Sequence, residues 1–275
     1  MKKEEIENLE PCTLQEIQQR ILSILVDIVK VCDKYHINYW LSDGTLLGAV
    51  RHEGFIPWDD DIDIAMPYED YVCFMEVAQK ELGDKYFVQN YHTDPEYRNV
   101  VVLTKIRDNN SIFIEEFDTN YHQGAFVDIF VMNRYESKNH FYRLKKEYYR
   151  VRSAAKMNTY DFESSKKRIS KKLLSIVFFW MSRERVIRKG EEADRKHKQH
   201  GDMFSYGFTT PMSVKYSFPV DSIFPLKKMK FEEYQFNVPC CPEIPLKTYY
   251  GDFMKLPSED KRTTHSQFYC LLDKK

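Results

Sequence analysis

Polar and apolar positions settle into a helical period early in the chain. Thr13-Leu14-Gln15-Glu16 has the pattern of a capping box, and Leu14, Ile17, Ile21, Leu22, Leu25, Ile28, Val29 and Cys32 then recur on one face. The spacing predicts a long first helix that ends near Tyr35-His36. Its apolar stripe needs a sheet or a second helix to cover it. Ile37 to Leu41 reads as a short strand, Asp43-Gly44 breaks it, and Thr45 to Val50 reads as a helical turn. Asp61 to Met66 alternates acids with apolar residues, the pattern of a strand. Pro67 stops that strand, and residues 68–82 suit a helix. Strand-like runs return at Tyr86–Tyr91, Val100–Ile106, Ile112–Phe117 and Phe126–Met132. Residues 138–200 read as helical, with many charges and few breakers. From Ser205 onward the prolines at 211, 219, 225, 239, 242, 245 and 257 favour an irregular wrapping segment. The expected fold class is α+β: a mixed-sheet core flanked by helices in residues 1–135, a helical segment in 136–200, and an irregular C-terminal tail in 201–275 that completes the site.

Composition narrows the function. A chain of 275 residues can bury a sizeable core, and 19 Tyr with 19 Phe make that core rich in rings. A net charge of −1 gives no basic field for nucleic acid, so no nucleic-acid partner is expected. The charge is uneven, however: residues 59–63 are acidic and residues 166–189 strongly basic. The cysteines at 12, 32, 73, 240, 241 and 270 form no CxxC, which points to reduced thiols. His197 and His200 lack the further ligands of a zinc site. The N-terminal stretch has no apolar core of a signal peptide, and no run approaches the ~20 apolar residues of a spanning helix. A cytoplasmic location is expected, possibly peripheral at the inner face of a membrane.

The chemistry is concentrated in Trp58-Asp59-Asp60-Asp61-Ile62-Asp63-Ile64. In a strand, residues two apart share a face, so Asp61 and Asp63 project together while Ile62 and Ile64 turn to the core. Two aligned carboxylates repel unless a cation neutralises them. Oxygen-only ligands suit Mg²⁺ or Mn²⁺. Phe126-Val127-Asp128-Ile129-Phe130 carries a lone acid inside an apolar strand, which is costly without a metal, a salt bridge or a catalytic role. Beside Asp61 and Asp63, Asp128 would complete a metal-binding triad. Gly44-Thr45, between a strand and a helix, would let a phosphate approach free backbone N–H groups.

The run from Trp40 to His52 (WLSDGTLLGAVRH), continued through Gly54-Phe55-Ile56-Pro57-Trp58 to Asp63, resembles the LicD family of phospho-alcohol transferases, which is related to fukutin-type phosphoribitol transferases. The resemblance recurs at Gly124–Phe130 and at Tyr250-Gly251-Asp252-Phe253-Met254, then Leu256-Pro257, Lys261-Arg262 and His265. It implies a nucleotidyltransferase-like core and a metal-dependent transferase. Such an enzyme moves a phospho-alcohol, phosphocholine in the first instance, from a CDP-activated donor such as CDP-choline to a hydroxyl of a glycan or lipid-linked glycan acceptor, and releases CMP. On that reading Asp61, Asp63 and Asp128 are metal ligands, and Asp128 or His265 is the base. Arg51, Lys105 and Arg107 are candidates for the donor phosphates, and His52 lies in the same block. Aromatic faces for a quaternary ammonium would come from Tyr39, Trp40, Trp58 or Tyr91. Two alternatives remain open: transfer of NMP from an NTP to a small acceptor, or a non-catalytic glycan- or nucleotide-binding protein.

Residues 166–189 carry nine basic residues and one acid around the apolar stretch Leu173–Met181. Such a helix can rest on an anionic membrane surface or pack on the protein's own core.

Overall fold

The computed structural model describes residues 3–156 and 176–273. After a short turn of helix, α1 (Lys3–Ile6), the expected long helix is α2 (Leu14–Tyr35). The Thr13 hydroxyl accepts from the Glu16 N–H while the Glu16 carboxylate accepts from the Thr13 N–H, so both halves of the capping box form. The helix ends at His36 in the left-handed conformation, φ 57°. Its buried stripe, Ile17, Ile21, Leu25 and Ile28 among others, covers one face of a sheet together with α4 (Tyr68–Leu82).

That sheet is mixed. Its strands are β1 (Trp40–Leu41), β2 (Asp63–Pro67), β3 (Tyr86–Gln89), β4 (Thr104–Asp108) and β6 (Phe126–Tyr135), in the order β1-β2-β6-β4-β3. β2 and β6 run parallel and the other pairs antiparallel. A short β5 (Ser111–Phe113) stands outside it. α3 (Asp43–His52) is longer than the single turn expected, because it begins at Asp43 itself.

β6 is also longer than expected. Its second half pairs with β7 (Met203–Tyr206), which pairs in turn with β8 (Ser217–Pro219). The tail is therefore more regular than its prolines suggest. Most of them sit where no ladder hydrogen bond is lost. Pro219 ends β8 and precedes α7 (Val220–Ile223), and Pro242 precedes α8 (Glu243–Tyr250). Between those helices lies the hairpin β9 (Lys227–Phe231) and β10 (Tyr234–Val238); at the end of the chain β11 (Tyr269–Leu271) pairs with β5.

The helical stretch contains α5 (His140–Ala154) and α6 (Arg183–Arg195). Leu173 and Leu174 of the expected membrane face lie outside the described residues. Of the rest, Met181 and Phe178 pack on Val100, Leu103, Val186 and Ile187. These two residues are thus core. Ile176, Val177, Phe179 and Trp180 stay exposed, with the Arg185 guanidinium over the Trp180 ring. Among the described residues no helix is long and apolar enough to cross a membrane. The six cysteines, all among the described residues, form no disulfide.

Candidate active site

Register builds the site. The parallel pairing sets Asp63 beside Asp128, and the antiparallel pairing on the other side sets Lys105 beside Asp128. All three point away from the α2/α4 core, which takes Ile62, Ile64, Ile129 and Ile106 instead. Lys105 Nζ lies 2.8 Å from Asp128 Oδ1 and 3.1 Å from Glu115 Oε1, over the ring of Phe126. Asp61, two residues before Asp63, shares its face.

A further acid comes from the start of α3. Asp43 has φ +46°, a left-handed conformation that is costly for a residue with a side chain and that collects at functional sites. Its carboxylate accepts from Ser42 Oγ and from Tyr206 Oη, both at 2.8 Å, and Tyr206 also meets the Tyr249 hydroxyl. The neighbouring Thr45 is buried, and its hydroxyl accepts the Asp63 N–H at 2.8 Å, locking α3 to β2. At Gly44 a Cβ would stand 3.1 Å from Asp59 Oδ2, so the small residue lets α3 approach the acidic loop.

Crowding these acids shifts them all. Burial pushes the Asp63 carboxyl well above its ordinary range, and Asp61, Asp43, Asp128 and Asp59 add repulsion. Burial, with repulsion from Asp61, takes Asp59 to about 8. Asp128 is raised to about 6 because burial outweighs the attraction of Lys105. This donor set is all oxygen, half enclosed and anionic. It fits a hard divalent cation such as Mg²⁺ or Mn²⁺, which would cancel the repulsion.

Asp60 does something different. It is fully buried and accepts from the His265 N–H (2.8 Å), His265 Nδ1 (2.9 Å), the Ser266 N–H (2.9 Å) and Tyr269 Oη (2.6 Å). Asp59, Asp60 and His265 also bring ligand atoms within 4.8 Å of one another. The Asp60 oxygens are already saturated, however, so this trio is a latch that fastens the tail to the acidic loop. His265 is held protonated, at about 10, by its bond to Asp60 and by the charges of Asp61 and Asp59. In this arrangement it is a cation that can donate but not accept a proton, so it does not fit the role of base expected from the sequence.

Two clefts meet at the acids. The larger, about 970 Å³, runs from Asp43, Asp61 and Asp63 between Arg51 and Trp58 on one side and Tyr250, Lys255 and Lys261 on the other. The smaller, about 330 Å³, shares Asp43, Asp61, Asp63 and His265 but is otherwise walled by Asn99, Val101, Val102, Lys105, Glu115, Phe126, Asp128 and Phe130.

Gly44, Arg51, Trp58, Lys105 and His265 thus lie with the acids. Other expected residues do not. Trp40 is buried against Phe204 and Phe224, and Tyr39 is wholly in the core. Tyr91 packs beside Val100 and Leu103. Arg107 is fully buried, and each of its three guanidinium nitrogens donates inside the protein, to Gln89, the Gly124 carbonyl and Glu115, so it is not presented to a phosphate. His52 accepts from Arg51 Nε at 2.9 Å and so orients that guanidinium, whose Nη1 donates to the Phe253 carbonyl at 3.1 Å. Asp43 and Asp60 were not singled out from the sequence. Asp43 looked like half of a turn, and Asp60 lies in a run of acids from which spacing does not single it out.

The LicD/FKTN/FKRP nucleotidyltransferase domain matches residues 36–167, which include the acids on β2 and β6. Lipopolysaccharide cholinephosphotransferase LicD of Haemophilus influenzae is 29% identical over 274 residues, 92% of this chain and 96% of that protein. Over residues 36–167 the chain is thus similar to the LicD/FKTN/FKRP domain, and over most of its length to LicD. Ribitol 5-phosphate transferase FKRP of Homo sapiens is 38% identical over 73 residues, 26% of this chain and 14% of FKRP. Mannosyltransferase regulator 4 of Saccharomyces cerevisiae is 28% identical over 116 residues, 42% of this chain and 9% of that protein. Two of these relatives, LicD and FKRP, are by name transferases of phospho-alcohols.

Two measurements check the electrostatics. Mg²⁺ is expected to raise the thermal midpoint of the wild-type protein but not of Asp63→Asn, while metal-free Asp63→Asn melts at or above wild type because one like charge is gone. An equal metal-induced shift in both proteins would exclude Asp63 as a ligand. The second concerns Glu115. Burial alone would raise its pKa, but Lys105 and Arg107 outweigh burial and hold it at about 2 against an ordinary 4.5. A depressed folded pKa contributes stability that is complete above 4.5 and lost as pH falls toward 2, on the order of 3 kcal/mol. The gap in urea-unfolding free energy between wild type and Glu115→Gln should be constant at neutral pH and shrink below pH 4.5. A gap that stays constant through the acid range contradicts the ion-pair assignment.

Proposed function

We propose that the protein moves a phospho-alcohol group, phosphocholine first among the candidates, from a CDP-activated donor to a hydroxyl of a cell-surface glycan precursor, with release of CMP. The observation that carries this reading is the larger cleft. Mutually repelling acids stand at one end, and Arg51, Lys255 and Lys261 line the way to them. That arrangement suits a diphosphate whose reacting end needs a cation and whose other end needs basic side chains.

Asp61 and Asp63, bordered by Asp43, are the proposed donors for Mg²⁺ or Mn²⁺. When bound there, the ion neutralises charge that develops on the phosphate oxygens. Asp128 was read from the sequence as third ligand or base; its ion pair with Lys105 favours the base, since Lys105 fixes one oxygen and leaves the other for an acceptor hydroxyl. Gly44 offers close approach to the backbone at the start of α3. Trp58, Tyr250 and Phe253 line the same cleft and supply ring faces for the cytosine or for a quaternary ammonium. The relationship to LicD and FKRP supports choline or ribitol as the alcohol.

The purified protein with Mg²⁺ and CDP-choline or CDP-ribitol should release CMP. Asp61→Asn and Asp63→Asn should each lose at least ~100-fold in rate, the scale of other electrostatic groups in active sites. Release of pyrophosphate from CTP, with no CMP from either CDP-alcohol, would replace this reading with nucleotidyl transfer.

An anionic lipid surface is proposed as a further partner, on the exposed Ile176, Val177, Phe179 and Trp180 next to the basic start of α6. Sedimentation with anionic vesicles at low salt should pull the protein down, and Phe179→Glu with Trp180→Glu should release it. Equal sedimentation of wild type and variant would remove the lipid surface as a partner.

A further inference from the structure

The two clefts are not equivalent, and the difference assigns the second substrate. They share Asp43, Asp61 and Asp63, so a phosphorus held over these acids is open to both. Displacement at phosphorus runs in line, with the attacking oxygen opposite the leaving one. A group leaving along one cleft is therefore attacked from the other. Among the described residues, the larger cleft alone carries cations without a carboxylate in ion-pair distance in its wall, Lys255 and Lys261, and so suits the nucleotide phosphate. The smaller cleft has one ammonium, Lys105, already neutralised by both Asp128 and Glu115. It has no charge to spare for an anion. Its remaining wall is Val101, Val102, Phe126 and Phe130 with one uncharged amide, Asn99, and Asp128 lines this cleft but not the larger one.

We infer that the smaller cleft is the acceptor site, and that it takes an uncharged, hydroxyl-bearing sugar that enters opposite the departing CMP. The inference rests on the CDP-alcohol reading above. The bond changes balance as follows. The acceptor oxygen bonds to the phosphorus that carries the alcohol. The bond from that phosphorus to the bridging oxygen breaks, and its electron pair leaves on CMP. The hydroxyl proton passes to the Asp128 carboxylate and from there to solvent. Glu115 and Arg107, behind Lys105, are positioning residues that keep the ammonium on Asp128.

Val101 tests this, because it is half-buried in the wall of the smaller cleft, its side chain is apolar, and its N–H donates to Asn99 Oδ1 and not to an acid. Val101→Trp fills the cleft. Three quantities are read in wild type, Val101→Trp and Lys261→Glu: the Kd of CMP, the Kd of CDP-choline and CDP-ribitol, and the rate at which water in place of the sugar splits the CDP-alcohol. Val101→Trp should leave both Kd values within about twofold of wild type, which also shows that it folds, and lower the hydrolysis rate by ~10-fold or more. Lys261→Glu should weaken CMP by a similar factor. If Val101→Trp weakens the CDP-alcohol but not CMP, the smaller cleft holds the donor's alcohol and the assignment is overturned. Unchanged hydrolysis in Val101→Trp overturns it as well, because the attack then comes from elsewhere. Wild-type protein that neither binds nor splits either CDP-alcohol removes the donor reading itself, a result that is visible before any variant is made.

Discussion

Like charges in a half-enclosed space are the constraint around which this fold is organised. Asp43, Asp59, Asp61 and Asp63 stand close enough for each to raise the affinity of others for a proton, and Asp128 joins them across the sheet. Left to itself such a group would spread apart or protonate. It is held because every acid is tied to an element that cannot move alone. Asp63 sits in a strand buried on both sides, with its N–H bonded to Thr45. Asp43 is pinned by Tyr206 from β7, so the last strands added to the sheet reach back to its first turn of helix. Asp128 is balanced by Lys105, which in turn needs Glu115 and Arg107.

The same constraint explains the tail. A chain rich in prolines would gain little by wrapping a surface unless something anchored it. Asp60 provides the anchor: one buried carboxylate takes four donors from residues 265 to 269. Asp59 and Asp61 line the larger cleft, whereas Asp60 lines neither cleft and spends its oxygens on the tail. The tail then lends Tyr250, Lys255 and Lys261 to the cleft.

Much of this was legible in the sequence where a period carried it. The α2 stripe and its capping box follow from spacing, and the structure has both; of the run of acids and isoleucines only Asp63 and Ile64 fall in β2, which starts two residues after the strand expected from Asp61. The assignments that failed depended on pairing, which spacing does not encode. Arg107 and Lys105 both stand on β4 with the same parity and look alike in the sequence. Register places Lys105 beside Asp128 and Arg107 beside Phe126, so one meets the site and the other closes a buried network. Trp40 lies within the strongest motif, yet β1 turns it toward Ala65 and the rings from the tail. The regular strands of residues 203–219 were hidden because their prolines mark strand ends, where a sequence reading takes them for breaks.

Register also sets how the substrates depend on one another. The row Asp63, Asp128, Lys105 runs across three adjacent strands, and a slip of one residue in either pairing would send its members into the apolar core. With the row fixed, the floor of the site is net anionic, while the unpaired cations lie farther along the larger cleft. A diphosphate donor would be drawn in by those cations and repelled by the floor. On the proposed reading, a divalent cation and the donor therefore bind with positive coupling, since each relieves the charge that opposes the other. The acceptor is exempt. It meets the acids from the side where Lys105 has already cancelled one of them, so its affinity depends on shape and apolar contact at Val101, Val102 and Phe130 more than on charge. That asymmetry follows from placing a single lysine one strand away from the acids.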